Sequence, residues 1–167
     1  QVDDQTVVDL LRRARDRHQP TPTDEEVRVD AGELTLPGHL TAPPEAVGVV
    51  VFAHGSGSSR HSPRNQFVAD QLNRAGLATL TFDLLTDAEA RDRRNVFDIG
   101  LLASRLARAA DWVRDQPAVA RLPVALFGAS TGAAAALVAA SDQSREFAAV
   151  VSRGGRPDLA GDRLAHV

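Results

Sequence analysis

Cysteine, methionine and tyrosine are absent from the 167 residues, tryptophan occurs once, and all 19 basic residues are arginine. Without cysteine there is no disulfide framework, no thiolate metal site and no cysteine nucleophile. Without lysine, Schiff-base chemistry and the phosphate-binding lysine of a P-loop are excluded. No run of about 18 apolar residues is present to span a bilayer, and no charged-then-apolar leader ends in a small-residue cleavage site. A cytoplasmic protein with no membrane partner is the expectation. The formal net charge of −3 offers no broad basic field, so nucleic acid is not an expected partner. The five histidines show no H-E-x-x-H or comparable ligand spacing, and no motif calls for a cofactor; neither a metal nor a cofactor is expected.

What is present suits a single soluble domain of ordinary size, or a piece of one, with 43% hydrophobic residues. Asp3 to Arg17 places Val7, Leu10, Leu11 and Ala14 on one helical face, and the prolines of "HQPTPTD" end it. A soft boundary near Asp24 therefore separates an N-terminal helix and linker, residues 1–24, from a main domain over 25–167. That domain opens with "VRVDAGELTL", which alternates apolar and polar residues around Ala31-Gly32 as a hairpin requires. Four nearly continuous apolar runs follow, at 47–53, 77–82, 122–127 and 147–152, each too short for a helix and suited to a strand buried on both faces. Between them, Ser62-Pro63 opens a helix to about Ala75 closed by Gly76, and Asn95 to Gln116 carries apolar residues at helical spacing until Pro117. Strands alternating with helices predict an α/β fold with a mostly parallel sheet flanked by helices.

In such a sheet, catalytic and binding groups gather in the loops at the carboxyl ends of the strands. The loop "GASTG" has the form G-x-S-x-G, in which a serine on a sharp strand-to-helix turn projects its hydroxyl above the sheet. Ser130 is thus a candidate nucleophile; a tight structural turn that merely tolerates serine is the other reading. "HGSGSSR" follows an earlier strand where an oxyanion-hole loop is expected, with backbone N–H groups of Gly55 and Ser56 joined by that of Thr131. His54 either holds this loop or touches substrate. Arg60 and Arg64 are either solvated charges or, with Arg153 and Arg156, binders of an anionic small-molecule substrate.

Taken in order, "VVVFAHGSGSSRHSPRN", "GLATLTFDLLT", "LPVALFGASTGAAAAL" and "VVSRGGRPDLAG" resemble the α/β-hydrolase fold, and within it the dienelactone-hydrolase-like group, over about residues 25–167. The resemblance implies a serine hydrolase acting on esters and related carbonyl compounds through an acyl-enzyme on Ser130, with Gly55, Ser56 and Thr131 as oxyanion hole. Some similar proteins follow a phosphoribosyltransferase domain on one chain, and "DDQTVVDLLRRA" is similar to the last helix of such a domain.

In this fold the acid and the histidine come from later strand ends. Only 37 residues follow Ser130, with Asp142, Asp158, Asp162 and His166 among them and one legible strand, "FAAVVS". His166 is expected to be a terminal side chain and Asp83, after the second parallel strand, to satisfy loop amides. The expectation is therefore a hydrolase domain lacking its C-terminal strands, the triad acid and the histidine, inactive in this form. Self-association through the exposed "FAAVVS" edge is a further expectation. The alternative to an enzyme is a non-catalytic α/β module that binds a ligand or contacts a neighbouring domain on the same chain.

Overall fold

A computed structural model describes residues 22–167, so the helix expected over Asp3–Arg17 lies outside the described residues. The alternating segment forms β1 (Thr23–Asp30) and β2 (Thr35–Ala42), paired antiparallel from Thr23 opposite Ala42 to Asp30 opposite Thr35. Their turn is closed by Ala31 N donating to Leu34 O at 3.0 Å, and by Gly32 N donating to Asp30 Oδ1 at 2.7 Å. The apolar runs become β3 (Val49–Ala53), β4 (Ala78–Phe82), β5 (Val124–Ala129) and β6 (Ala149–Arg153). In the six-stranded sheet the order is β1-β2-β4-β3-β5-β6, parallel from β4 to β6 and antiparallel at β1 and β2. No helix among the described residues is long and apolar enough to cross a membrane.

β3 has no apolar–polar alternation because it is buried at every position; β4 is also buried throughout, although it carries Thr79 and Thr81, and Thr79 Oγ1 accepts from Asn73 Nδ2 at 3.1 Å. Successive residues of β3 point to opposite faces. Val49, Val51 and Ala53 join the large core, while Val50 and Phe52 join a smaller cluster with Ala69 and Phe127. On the smaller side lies α1 (Pro63–Arg74), where the Phe52 and Phe127 rings sit 4.8 Å apart between centroids. The larger side carries α4 (Ile99–Arg114) and α5 (Thr131–Ala140). Ala133, Ala134, Ala135 and Ala136 have no exposed surface, and their small side chains let α5 lie close against the sheet.

Two local features differ from the sequence reading, and one helix is added. Ser62 does precede Pro63 at the start of α1, but its side chain makes no capping bond. The single helix expected from Asn95 is two: α3 (Arg93–Val96) ends, and Asp98 Oδ1 accepts from Leu101 N at 2.9 Å to start α4. An aspartate that caps the next turn competes with continuing the previous one. Just before it, the unexpected α2 (Asp87–Ala90) is opened by a capping box between Thr86 and Glu89. The Thr-x-x-Glu pattern was readable in the sequence.

At the far end of the sheet, β6 has β5 as its one strand neighbour among the described residues. Unlike β3 and β4, it is largely exposed, with Val151 at 48%. A 3₁₀ segment, Pro157–His166, follows it.

Candidate active site

β5 ends at Ala129 and α5 begins at Thr131, so the chain must reverse through the one residue between them. Ser130 does this at φ 53°, ψ −119°, a left-handed conformation that side chains other than glycine's rarely adopt. The turn is pinned on both sides: Ser130 N donates to Arg153 O of β6 at 3.4 Å, and Ala133 N donates to Ser130 O at 3.1 Å. Gly128 and Gly132 are sterically required. A Cβ on Gly128 would overlap Ala133 Cα, and one on Gly132 would overlap the Ala53 carbonyl oxygen. The two glycines thus let β5, α5 and the end of β3 meet at van der Waals distance beneath the serine.

The loop after β3 comes to the same place. A Cβ built on Gly55 would lie 3.0 Å from Ser130 Cβ. The amide of Thr131 belongs to the first turn of α5, where no intrahelical acceptor exists. None of the Gly55, Ser56 and Thr131 amides is donated to a backbone partner among the described residues. The Thr131 side chain is 3% exposed, and its Oγ1 is buried without a hydrogen-bond partner. Ser130, Gly55, Ser56 and Thr131 are therefore brought together.

His54 holds the loop in position. Leu84 N donates to its Nε2 at 3.1 Å, which leaves Nδ1 to carry the proton and donate to Gly55 O at 3.0 Å. Burial pushes its pKa below the ordinary imidazole value, in keeping with a neutral ring. Both ring nitrogens are engaged, so the direct substrate contact entertained for His54 has no free nitrogen to make it. Arg60 is similarly occupied. Its backbone N and its guanidinium donate to Asp83 at 2.7 and 2.6 Å, and the guanidinium also lies 3.6 Å from Glu26. These contacts fix the loop to the end of β4 and give Asp83 the role of satisfying a loop amide.

The four arginines do not form one cluster. Arg156 pairs with Asp158 at 2.7 Å, away in the exposed 3₁₀ segment. Arg64 and Arg153 alone share a cavity with Ser130, of about 630 Å³, whose wall includes Phe67 and Val68. Arg153 donates to Asn65 Oδ1 at 2.8 Å and lies over the Phe127 ring, 5.4 Å from its centroid. No carboxylate among the described residues pairs with either guanidinium, although both residues line this cavity.

No side chain among the described residues hydrogen-bonds the Ser130 hydroxyl. Asp142 lies beyond the other end of α5, bound to Ser144 Oγ at 2.7 Å and to Arg145. A helix of that length separates it from Ser130 by about 15 Å. His166 is exposed, and its neighbour Val167 lines a cavity with Leu137, Ala140 and Phe147, at that same distant end.

Comparison with known proteins fits this geometry. Residues 44–156 match the family model described as serine aminopeptidase, S33. The chain belongs to the α/β-hydrolases, with a dienelactone-hydrolase-like fold. The structure is similar to that of dienelactone hydrolase from Anabaena variabilis, with a TM-score of 0.83 and 56% identity, over 90% of this chain and 70% of that one. A dienelactone-hydrolase-like promiscuous phosphotriesterase from metagenomic libraries shares the fold, with a TM-score of 0.65 and 24% identity over 80% of this chain and 59% of its own. By sequence, a Mycobacterium tuberculosis protein whose name proposes a phosphoribosyl transferase is 58% identical over 99% of this chain. The chain spans 39% of the length of that relative.

Proposed function

We propose that the protein is a serine hydrolase acting on ester-type carbonyl substrates, with Ser130 as nucleophile. The observation that carries this reading is the Ser130 backbone, held at φ 53° between two glycines that admit no side chain. A fold keeps a turn that costs about 1–3 kcal/mol where the strained residue has work to do. The reaction starts as Ser130 Oγ attacks the carbonyl carbon and its proton passes to a base. The carbonyl oxygen gains the negative charge beside the amides of Thr131, Gly55 and Ser56, which need no rearrangement to receive it. Collapse breaks the bond to the leaving alcohol, which takes up a proton. Water then releases the acid from the acyl-enzyme and restores the serine. In the full-length protein the base and its orienting acid lie outside residues 22–167 on this reading.

Arg64 and Arg153 support a substrate that carries a negative group on the side of Ser130 away from the oxyanion loop. Two arginines without a carboxylate partner bordering one cavity favour a carboxylate or phosphate there.

The test is hydrolysis of p-nitrophenyl acetate by the full-length protein. The reading expects turnover with an initial burst, and a loss of at least about a thousandfold in Ser130→Ala. Turnover that survives in Ser130→Ala would exclude Ser130 as nucleophile. A second reading rests on the relative's name and on the share of it that this chain spans: a non-catalytic module attached to a phosphoribosyl transferase. Absence of any Ser130-dependent turnover in the full-length protein favours that reading.

A further inference from the structure

A second cavity, of about 410 Å³, adjoins the oxyanion loop and is bordered by Gly55, Ser56 and Thr131. It is unlike the arginine-bordered one. Leu84, Leu85 and Leu102 form its apolar base, and Ala90 and Val96 its outer wall. Of the charged and polar groups at its mouth, Arg60 is paired with Asp83 at 2.6 Å and the His54 ring has both nitrogens engaged, while His61 and Asp87 complete the rim. Its volume falls within the range of about 300–1,000 Å³ common to small-molecule sites.

The outer wall has an unusual anchor. Of the two short helices that contribute Ala90 and Val96, α3 packs the half-buried Val96 on the core, whereas α2 has no buried residue and packs no apolar side chain there. Arg105 lies on the otherwise apolar face of α4, only 8% exposed, and reaches out to this segment. Its guanidinium donates to both carboxylate oxygens of Glu89, at 2.6 and 3.1 Å, and to Leu84 O at 3.3 Å. Glu89 in turn accepts from the Thr86 backbone N at 2.9 Å. Placing a guanidinium in an apolar core carries a desolvation cost, and packing alone would be served by leucine. The arginine supplies what leucine cannot, a directional tether from the core to α2, the part of the wall with no apolar anchor.

We infer that this cavity is the acyl site, taking the uncharged aliphatic part of the substrate's acid, and that Arg105 and Glu89 are positioning residues that hold its wall. The inference rests on the hydrolase reading above for the identity of the bound group. With the acyl chain in this cavity, the carbonyl carbon sits over Ser130 and its oxygen against the adjoining amides. The alcohol side is directed towards Arg64 and Arg153. The substrate class that fits is an aliphatic ester whose leaving group bears a negative charge.

Two measurements on the full-length protein test this. In the first, kcat/KM is compared for p-nitrophenyl hexanoate and p-nitrophenyl acetate. Ala90→Trp, which fills the cavity from an exposed position, lowers the hexanoate-to-acetate ratio about tenfold or more, and Glu89→Gln lowers it at least about fivefold. An unchanged ratio in Ala90→Trp overturns the acyl site, and an unchanged ratio in folded Glu89→Gln overturns the tether. In the second, binding of hexanamide is followed by calorimetry in Ser130→Ala, where no catalysis is needed. Binding that Ala90→Trp abolishes supports the site even if no ester is cleaved, in which case the hydrolase reading alone fails. No binding of hexanamide, or binding that Ala90→Trp leaves intact, overturns the site.

Discussion

Ser130 answers two opposed demands, because the hydroxyl must stand clear of the sheet while the backbone beneath it reverses within one residue. The cost is local and measurable. Ser130→Gly relieves the left-handed strain, whereas Ser130→Ala keeps it. Urea denaturation is expected to find the glycine variant more stable than the alanine variant by about 1 kcal/mol, strain relief exceeding the added chain entropy. Equal stabilities would mean that the turn is unstrained. Gly128, Ala129 and Gly132 made this corner legible in the sequence, since small residues at fixed spacing around a serine leave few other geometries. The partners of His54 and Arg60 were not legible in the same way. Leu84 lies 30 positions from His54 and Asp83 lies 23 from Arg60, and only the folded sheet brings β3 and β4 side by side. The Arg156–Asp158 pair, two positions apart, was within reach of sequence reading, and it removes Arg156 from the arginine set.

Among the elements, the opening hairpin carries its own pH dependence. His39 on β2 contacts Asp24 at 2.6 Å and Glu26 at 3.2 Å, both on β1. Burial lowers its pKa, but the hydrogen bonds to the two carboxylates outweigh that and leave it raised. The His39 bond, aided by Thr41, holds Asp24 below its ordinary value. A raised histidine pKa means the contribution is complete below the unfolded value of about 6.5 and is lost as pH rises through the folded one. The expected loss is below about 1 kcal/mol because these groups are screened by solvent. Chemical denaturation of the wild type and His39→Gln between pH 5.5 and 8.5, at about equal salt, checks it: the stability difference shrinks with rising pH, and a constant difference refutes the assignment. Strands and their burial were legible because β3 is apolar throughout and β4 interrupts its apolar residues only with Thr79 and Thr81, which are short, β-branched and carry no charge. The break at Asp98 was not, because Val96 and Ile99 keep a helical spacing across it while the cap depends on one side-chain bond.

At the scale of the described fold, the carboxyl ends of β3, β4, β5 and β6 deliver His54, Asp83, Ser130 and Arg153 to one edge of the sheet, and α1 adds Arg64. The sheet also sets a liability. β1, one outer strand, carries Asp24, Glu25, Glu26 and Arg28, whereas β6, the other, presents Val151 with no carboxylate on the strand. Charged outer strands resist edge-to-edge pairing and apolar ones invite it. The 167-residue chain is expected to associate in sedimentation velocity at micromolar concentration, and Val151→Lys to shift it towards monomer; a wild-type chain that is monomeric throughout would contradict this. The central claim, that Ser130 is a built nucleophile, is tested most directly by mapping fluorophosphonate adducts on the full-length protein by mass spectrometry. The account predicts one modified residue, Ser130, and no adduct in Ser130→Ala. Labelling at another serine, or none under conditions that label a control serine hydrolase, would contradict it.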